Sequence, residues 1–524
     1  MSRSSRLARS FKAIALAASA FGATVALADD LHLGSKQTYA PQQDASTYEA
    51  PPAGFAPVFT QLVARHGSRG LSSPSNDIAL YNMWLGAQAA HGLTKLGALL
   101  GPDLQRVIRA NALLGYGVPG ISAPGYGNLT QTGIGEHTQL AARMAARVAP
   151  LFATVAAQAS TAPRQVVVST SGVNRAIDSS FFFTQSLEAT VPGLAPLVVN
   201  SASLTAYPAS KPVTQAPGIN RFQLYFHKLA AKTDLPATTD PIYPVYQSSL
   251  AYQSYLASDP TMIAKVNSIV YGDASKAAAR AALLQVFTPA FVDALDSGAS
   301  SYANTGSFTY TSGDGLFTTT VTGDGGTVLA NLVDAANSLY AVYSITPAMV
   351  NEVPTNFGKY FPAGNLATWG YLSDVQDFYQ KGPGIQEAGD ITSRMSQALL
   401  DDFFSEGNAI ARGNLAHAAK LRFTHAEIIM PLATRLGLPG ATTQVPAAGT
   451  YTYAGNPWRG AAIAPLASNI QWDMFRNSAG TLLVKMLYNE KETDFPAPCE
   501  GARYLAGSTS HYYEYARLKA CYAE

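Results

Sequence analysis

Three times in this 524-residue chain an apolar run of strand length ends in a polar turn rich in arginine, histidine or glutamate, and a helical pattern follows. Residues 57–64 run into Arg65-His66-Gly67-Ser68-Arg69. Val166 to Ser169 lead through a polar turn with Arg175 into a helix containing Phe181 to Phe183. The run ending at Phe423 meets Thr424-His425-Ala426-Glu427, and a helix showing Ile428, Ile429, Leu432 and Leu436 follows, stopping at Gly437. Strands that alternate with helices predict an α/β fold built on a mainly parallel sheet flanked by helices. In such sheets ligands bind beyond the carboxyl ends of the strands, so the three turns are predicted to meet in space.

The grammar changes between residues 205 and 395. Helical patterns cover 249–297, 327–343 and 371–380, and SFTYTSGDGLFTTTVTGDGG alternates like a hairpin with glycine-rich turns. This stretch reads as a mostly α-helical insertion domain. It divides the α/β core into a first part, 29–204, and a second part, 396–524. Near the end, IQWDMFRN and TLLVKMLYNE add antiparallel strands to the sheet. Residues 129–158 carry helical spacing, with Thr130 or Thr132 as the N-cap and with Arg143 and Arg147 on one face, read as solvated.

Residues 1–28 have the pattern of a signal peptide. Arg3, Arg6, Arg9 and Lys12 precede an apolar, small-residue run, and Ala26-Leu27-Ala28 offers a cleavage site. The expected product is exported, with the periplasm as the first destination and the extracellular space or the outer membrane as alternatives. Without the four basic residues of the leader the chain holds 31 basic against 34 acidic residues, a net charge of −3. Its net charge therefore draws it neither to nucleic acid nor to an acidic membrane. Any polyanionic partner must be held by cations focused in a cleft. The two cysteines, Cys499 and Cys521, are predicted to form a disulfide, which closes a loop of about 22 residues and is worth ~3 kcal/mol in the chain-entropy model. Motifs for zinc, for a serine nucleophile elbow and for a P-loop are absent from the sequence.

The residues at the three turns suit one chemistry. A phosphate ester repels nucleophiles because its phosphoryl group is anionic. Cleavage without a metal needs cationic donors on the phosphoryl oxygens, a neutral nucleophile and an acid for the leaving alcohol. Arg65, Arg69 and Arg175 supply planar, permanently charged donors. His66 can attack through an unprotonated ring nitrogen, and Glu427, if protonated, can serve as the acid.

RHGSR at 65–69, together with SGVNRAIDS and THAE, resembles the histidine acid phosphatase branch of the histidine phosphatase superfamily. The H-A-E form is similar to that of the multiple inositol polyphosphate phosphatases, which act as phytases. GNLTQTGIGEH, DVQDFYQKGPG, LRFTHAEIIMPL, LASNIQWDM and VKMLYNEKE carry the same resemblance along most of the chain. It implies that His66 forms a phosphohistidine, that Arg65, Arg69, Arg175 and His425 hold the phosphoryl oxygens, and that Glu427 protonates the leaving alcohol. It implies no metal or other cofactor, and a small polyanionic substrate such as phytate. The alternatives are a broad-specificity acid phosphatase acting on small esters and a non-catalytic phosphate-ester binding protein. In one place the chain departs from the family hallmark: Leu71 stands where the family has proline, which bears on the rigidity of the loop that places Arg69.

His425 and Glu427 are two residues apart, so they can share a cleft only at an irregular strand-to-helix junction. Lys381, in the QKGPG segment, is a candidate for an outer substrate shell, with Arg394 a weaker one. His91, His137, His227 and His511 are read as non-catalytic. The GDGG at 323–326 is read as a turn, and the tyrosine-rich tail as packing around the disulfide.

Overall fold

The computed structural model describes residues 31–208 and 210–523. The expected leader, 1–28, lies outside the described residues. One mixed sheet organises the chain. Its strands are β1 Ala56–Arg65, β2 Gln165–Thr170, β3 Val198–Asn200, β4 His417–Thr424, β5 Asn469–Arg476, β6 Leu482–Tyr488, β7 Lys491–Thr493 and β8 Tyr512–Glu514. They lie in the order β7-β6-β5-β1-β4-β2-β3, with β8 also paired to β6. β1, β4, β2 and β3 run parallel, whereas β5, β6, β7 and β8 join antiparallel, the arrangement expected for the two late runs.

Alternation along β1 explains how one strand serves two cores. Leu62 and Ala64 face a cluster with Leu140, Met144, Val168, Phe183 and Phe423. Phe59 and Val63 face the other way, into the larger cluster. The first face is covered by helices that follow α1 Asn76–Ala89 and α2 Gly97–Leu113 in the chain: α3 Gln131–Arg147, α4 Ala149–Ala157 and α5 Asn174–Thr190. Thr130 caps α3 through its hydroxyl, which accepts from the Gly133 N–H at 3.2 Å. The 129–158 stretch is bent by 84° between α3 and α4, with Pro150 in the first turn of α4, where its missing N–H costs nothing.

The region 205–395 supplies α6 Tyr243–Ser258, α7 Pro260–Val270, α8 Asp273–Val286, α9 Pro289–Asp296, α10 Leu332–Ile345 and α11 Asn365–Gln380. The expected hairpin is present, with Ser307–Thr311 paired antiparallel to Thr318–Thr322. α1 and α2 pack into this helical layer. Gly97 lies so close to the Val286 carbonyl that a Cβ would not fit. The core then resumes with α12 Gln397–Ala411, β4 and α13 Ala426–Leu436, and ends with α14 Tyr515–Tyr522. Gly437 closes α13 in the left-handed conformation, φ 75°, as its position in the sequence predicts. Cys499 and Cys521 are disulfide-bonded, with Cα atoms 5.5 Å apart. Among the described residues no single helix is long and apolar enough to cross a membrane.

One expectation is corrected. The Arg143 and Arg147 face of α3 is not solvated. Arg147 is 6% exposed and pairs with Asp473 at 2.8 Å, and Arg143 pairs with Glu490 at 2.7 Å. The face looks polar in one dimension, but β5 and the β6–β7 turn supply carboxylates that pair with it.

Candidate active site

The register of the three parallel strands brings their ends into line. Arg65 lies opposite Thr424, and Phe423 opposite Thr170. His66, the first residue beyond β1, still donates its N–H to the Thr424 carbonyl at 2.8 Å. Arg175 is in the first turn of α5, after β2. His425 is the N-cap of α13, in extended conformation (φ −132°, ψ 168°), and Glu427 is in that helix's first turn. The change of backbone between them is the irregular junction that the H-A-E spacing requires. The His66 and His425 rings stand 5.4 Å apart. Arg65, His66, Arg69, Arg175, His425 and Glu427 therefore share one cleft, and each is close enough to perturb the ionisation of others in it.

The loop after β1 is tied down from behind. A Cβ on either Gly67 or Gly133 would strike the other segment's backbone, so the pair of glycines lets the start of α3 close on the loop. The Ser68 N–H and hydroxyl both donate to the Glu136 carboxylate, at 2.6 and 2.8 Å, and the Tyr39 N–H donates to it at 2.8 Å. The Leu71 N–H donates to the Asn111 side-chain oxygen at 2.8 Å. A proline has no such proton, so here a hydrogen bond pins the segment where ring stiffness serves in the family pattern.

The position of one proton decides what His66 can do. Its Nδ1 lies 2.9 Å from the Gly67 carbonyl oxygen. That oxygen only accepts, so Nδ1 carries the hydrogen and Nε2 keeps its lone pair. Burial, followed by the charges of Arg175 and Arg65, holds the ring's pKa well below the usual histidine range. The result is a neutral imidazole surrounded by cations. His425 is likewise kept neutral, chiefly by burial and Arg175, and its Nε2 is 2.8 Å from the Ser171 hydroxyl.

Those cations have few partners. Arg65 donates from Nη1 to the Ser35 and Ala464 carbonyls, both at 2.5 Å, and its Nε is buried without a partner among the described residues. The Nε atoms of Arg69 and Arg175 are in the same condition. Burial and mutual repulsion push Arg69 down to about 9, and burial, helped by the Arg175 charge, more than offsets nearby carboxylates to leave Arg65 at about 10. Three crowded guanidiniums without carboxylate partners form a cradle for an anion.

Lys381 reaches the cleft as its sequence context suggests. Its Nζ is 3.4 Å from Glu427 and 2.8 Å from Asp377. Arg394 pairs with Asp390 instead, at 3.0 Å. Burial works to raise the Glu427 pKa, but the Lys381 ammonium is the largest of the charges that outweigh it and hold the carboxyl well below its usual range. In the ligand-free cleft Glu427 is therefore ionised. Two residues at the site were not recognised as such from sequence. His227 lies 6.2 Å, ring to ring, from His425, with Tyr225 packed against both. Lys36, in a short turn before β1, is pushed down to about 7 by burial and then by Arg69 and Arg65. Neither sits in a strand–turn–helix unit, so no local pattern marks them.

The region 330–489, which contains His425 and Glu427, matches the model for the histidine phosphatase superfamily, branch 2. The multiple inositol polyphosphate phosphatase of Bifidobacterium longum, solved in complex with inositol hexasulfate, is 30% identical over 94% of this chain and 97% of its own, with a TM-score of 0.79. This chain belongs to branch 2 of the histidine phosphatase superfamily. It is a phosphatase, with a histidine-phosphatase-like α/β core and a helical insertion. The ligand-free form of the same Bifidobacterium longum enzyme gives a TM-score of 0.80, again at 30% identity over 94% of this chain and 97% of that one. The phytase of D. castellii, 12% identical over 94% of this chain and 84% of its own, shares the fold with a TM-score of 0.57. A comparison with curated proteins returns no match. The matched region begins after Arg65 to Arg69 and Arg175, so their placement rests on the geometry above.

Proposed function

We propose that this phosphatase removes phosphate from inositol polyphosphates such as phytate, through a phosphohistidine on His66. The observation that carries the reading is the fixed tautomer of a neutral His66 whose Nε2 is free, set among three guanidiniums without carboxylate partners. The choice of substrate is supported by the 30% identity to an inositol polyphosphate phosphatase and by Lys381, a cation beyond the three arginines.

Arg65, Arg69, Arg175 and His425 orient the phosphoryl group. The Nε2 lone pair of His66 forms the P–N bond as the P–O bond to the inositol breaks, and Glu427 gives its proton to the departing oxygen. Glu427 must first gain that proton. A phosphate dianion entering the cleft engages Lys381 and the arginines and adds negative charge beside the carboxylate, and both effects raise its pKa. Water then attacks the phosphohistidine with Glu427 as base, which releases phosphate and restores His66. Export with cleavage after Ala28, to the periplasm, belongs to the same reading. It is supported by the leader pattern and by the bridged Cys499 and Cys521. Incubation with labelled phytate and a denaturing quench at alkaline pH, where phosphohistidine survives, should trap label on His66. Turnover of phytate with no protein-bound label would reject the intermediate.

A further inference from the structure

Ser171, the first residue beyond β2, is fully buried, and its N–H donates to the Phe423 carbonyl of β4 at 3.1 Å. The serine is thus fixed against the strand that delivers His425. Its hydroxyl lies 2.8 Å from Nε2 of His425, and the same oxygen accepts the Val173 N–H at 3.3 Å. The other nitrogen of the His425 ring, Nδ1, is buried without a partner among the described residues. His425 is the N-cap of α13, yet its side chain takes no capping hydrogen bond. With Nε2 engaged by Ser171, Nδ1 is the nitrogen left for a phosphoryl oxygen.

A neutral imidazole carries one proton, and counting partners locates it. With the proton on Nε2, that nitrogen would donate to Ser171. The serine hydroxyl proton would then lack an acceptor, and the Nδ1 lone pair would be buried and unmatched. With the proton on Nδ1, the Val173 N–H donates to the serine oxygen, the serine hydroxyl donates to Nε2, and only the Nδ1–H is left over. Each orphaned buried group costs ~1–3 kcal/mol, so the arrangement with one orphan is favoured over that with two. The leftover N–H is also the group that an anionic oxygen requires, whereas a lone pair there would repel it.

We propose that Ser171 is a positioning residue for phosphoryl transfer: its hydroxyl donates to Nε2 of His425, fixes the Nδ1–H tautomer and so makes His425 a donor to the phosphoryl group. This rests on the phosphatase reading above and deepens it. Free histidine in water favours the opposite tautomer, so loss of the serine leaves a lone pair on the nitrogen that meets the anion.

The first test uses the wild-type full chain, isotopically labelled at the histidine nitrogens. At mildly alkaline pH the ring shifts, assigned by difference from His425→Gln, should show His425 protonated at Nδ1 and bare at Nε2. Protonation at Nε2 would overturn the proposal. Ser171→Ala should move the ring toward the Nε2–H form. It should also lower kcat/KM ~10–100-fold on phytate and on p-nitrophenyl phosphate alike, because the phosphoryl group is common to both. Ser171→Thr keeps the hydroxyl and should retain the tautomer and most of the rate. Unchanged kcat/KM in Ser171→Ala, or a loss of rate with His425 still protonated at Nδ1, would refute the role. If wild type cleaves p-nitrophenyl phosphate but not phytate, the inositol reading fails by itself, and the p-nitrophenyl phosphate rates still decide what Ser171 does.

Discussion

Strand β4 carries buried cations, and its end opens on more of them, yet the two groups differ in kind. Within the strand, Arg422 pairs with Asp402 at 2.5 Å, and Lys420 pairs with Asp402 and Glu406 at 2.7 and 2.9 Å. Arg147 with Asp473 and Lys485 with Glu492 repeat the pattern elsewhere on the sheet. Just past the strand's end, Arg65, Arg69 and Arg175 converge with no carboxylate on their guanidiniums among the described residues. A buried cation with its counter-ion in place belongs to the fold, whereas one without is waiting for a ligand. Burial and charge alone do not separate the two cases; the partner does.

The largest effect should come from the unpaired side. His66→Ala is expected to lower kcat by ~10⁴-fold or more, because it removes the group proposed to accept the phosphoryl. Its melting temperature should stay close to wild type. A mutant with near-normal turnover would move the nucleophile elsewhere.

Glu427→Gln comes next. Inositol alkoxide is a poor leaving group, so phytate turnover should fall ~10²–10⁴-fold, while p-nitrophenolate leaves as an anion and its ester should suffer far less. Equal losses on both substrates would make Glu427 structural, a member of the paired class through Lys381.

A third pair of variants tests the contrast directly. Arg422→Met strips Asp402 Oδ2 of both its guanidinium donors and should lower stability by about 3 kcal/mol, with kcat/KM of the folded fraction preserved. Arg175→Met removes an unpaired cation and should do the reverse. Its unfolding midpoint should hold or rise, and kcat/KM should fall by a factor corresponding to ~1.5–3 kcal/mol. Similar stability losses in both would erase the distinction.

The smallest effect is in the pH dependence, and the two regions occupy different windows. Asp402 and Glu406 are held at about 2, burial being overcome by Arg422 and Lys420 for the first and by His417 and Lys420 for the second. Their folded pKa values lie below the unfolded ones. Their stabilisation is therefore present above about pH 4 and lost as pH falls toward 2, on the order of 2 kcal/mol per group. His66 and His425 are also depressed, but as bases. The unfolded chain takes up their protons first, so stability falls as pH drops below 6.5. Melting curves between pH 7 and 3 should show both phases. Asp402→Asn should flatten only the lower one and His425→Gln only the upper one.

The residues that the sequence marked plainly sit where local pattern and chemistry coincide. The Arg65-to-Arg69 turn, Arg175 and the His425–Glu427 pair each follow an apolar run and open a helix. Period and turn chemistry are local properties, so they can be read in one dimension. Parallel pairing then brings strand ends together by rule, which is why three distant turns could be expected to meet. The late antiparallel strands and the glycine stop of α13 were legible for the same reason. Lys36 and His227 were not, because nothing in GSKQ or YFHK differs from a surface turn. Arg143 and Arg147 were misread because their carboxylates arrive from residues more than 300 positions away. The ionisation of Glu427 was equally out of reach. The sequence determined which groups stand at the strand ends. Only the tertiary structure decided which cations have counter-ions and which carry unshared charge, because burial and Coulomb interaction act through space and not along the chain.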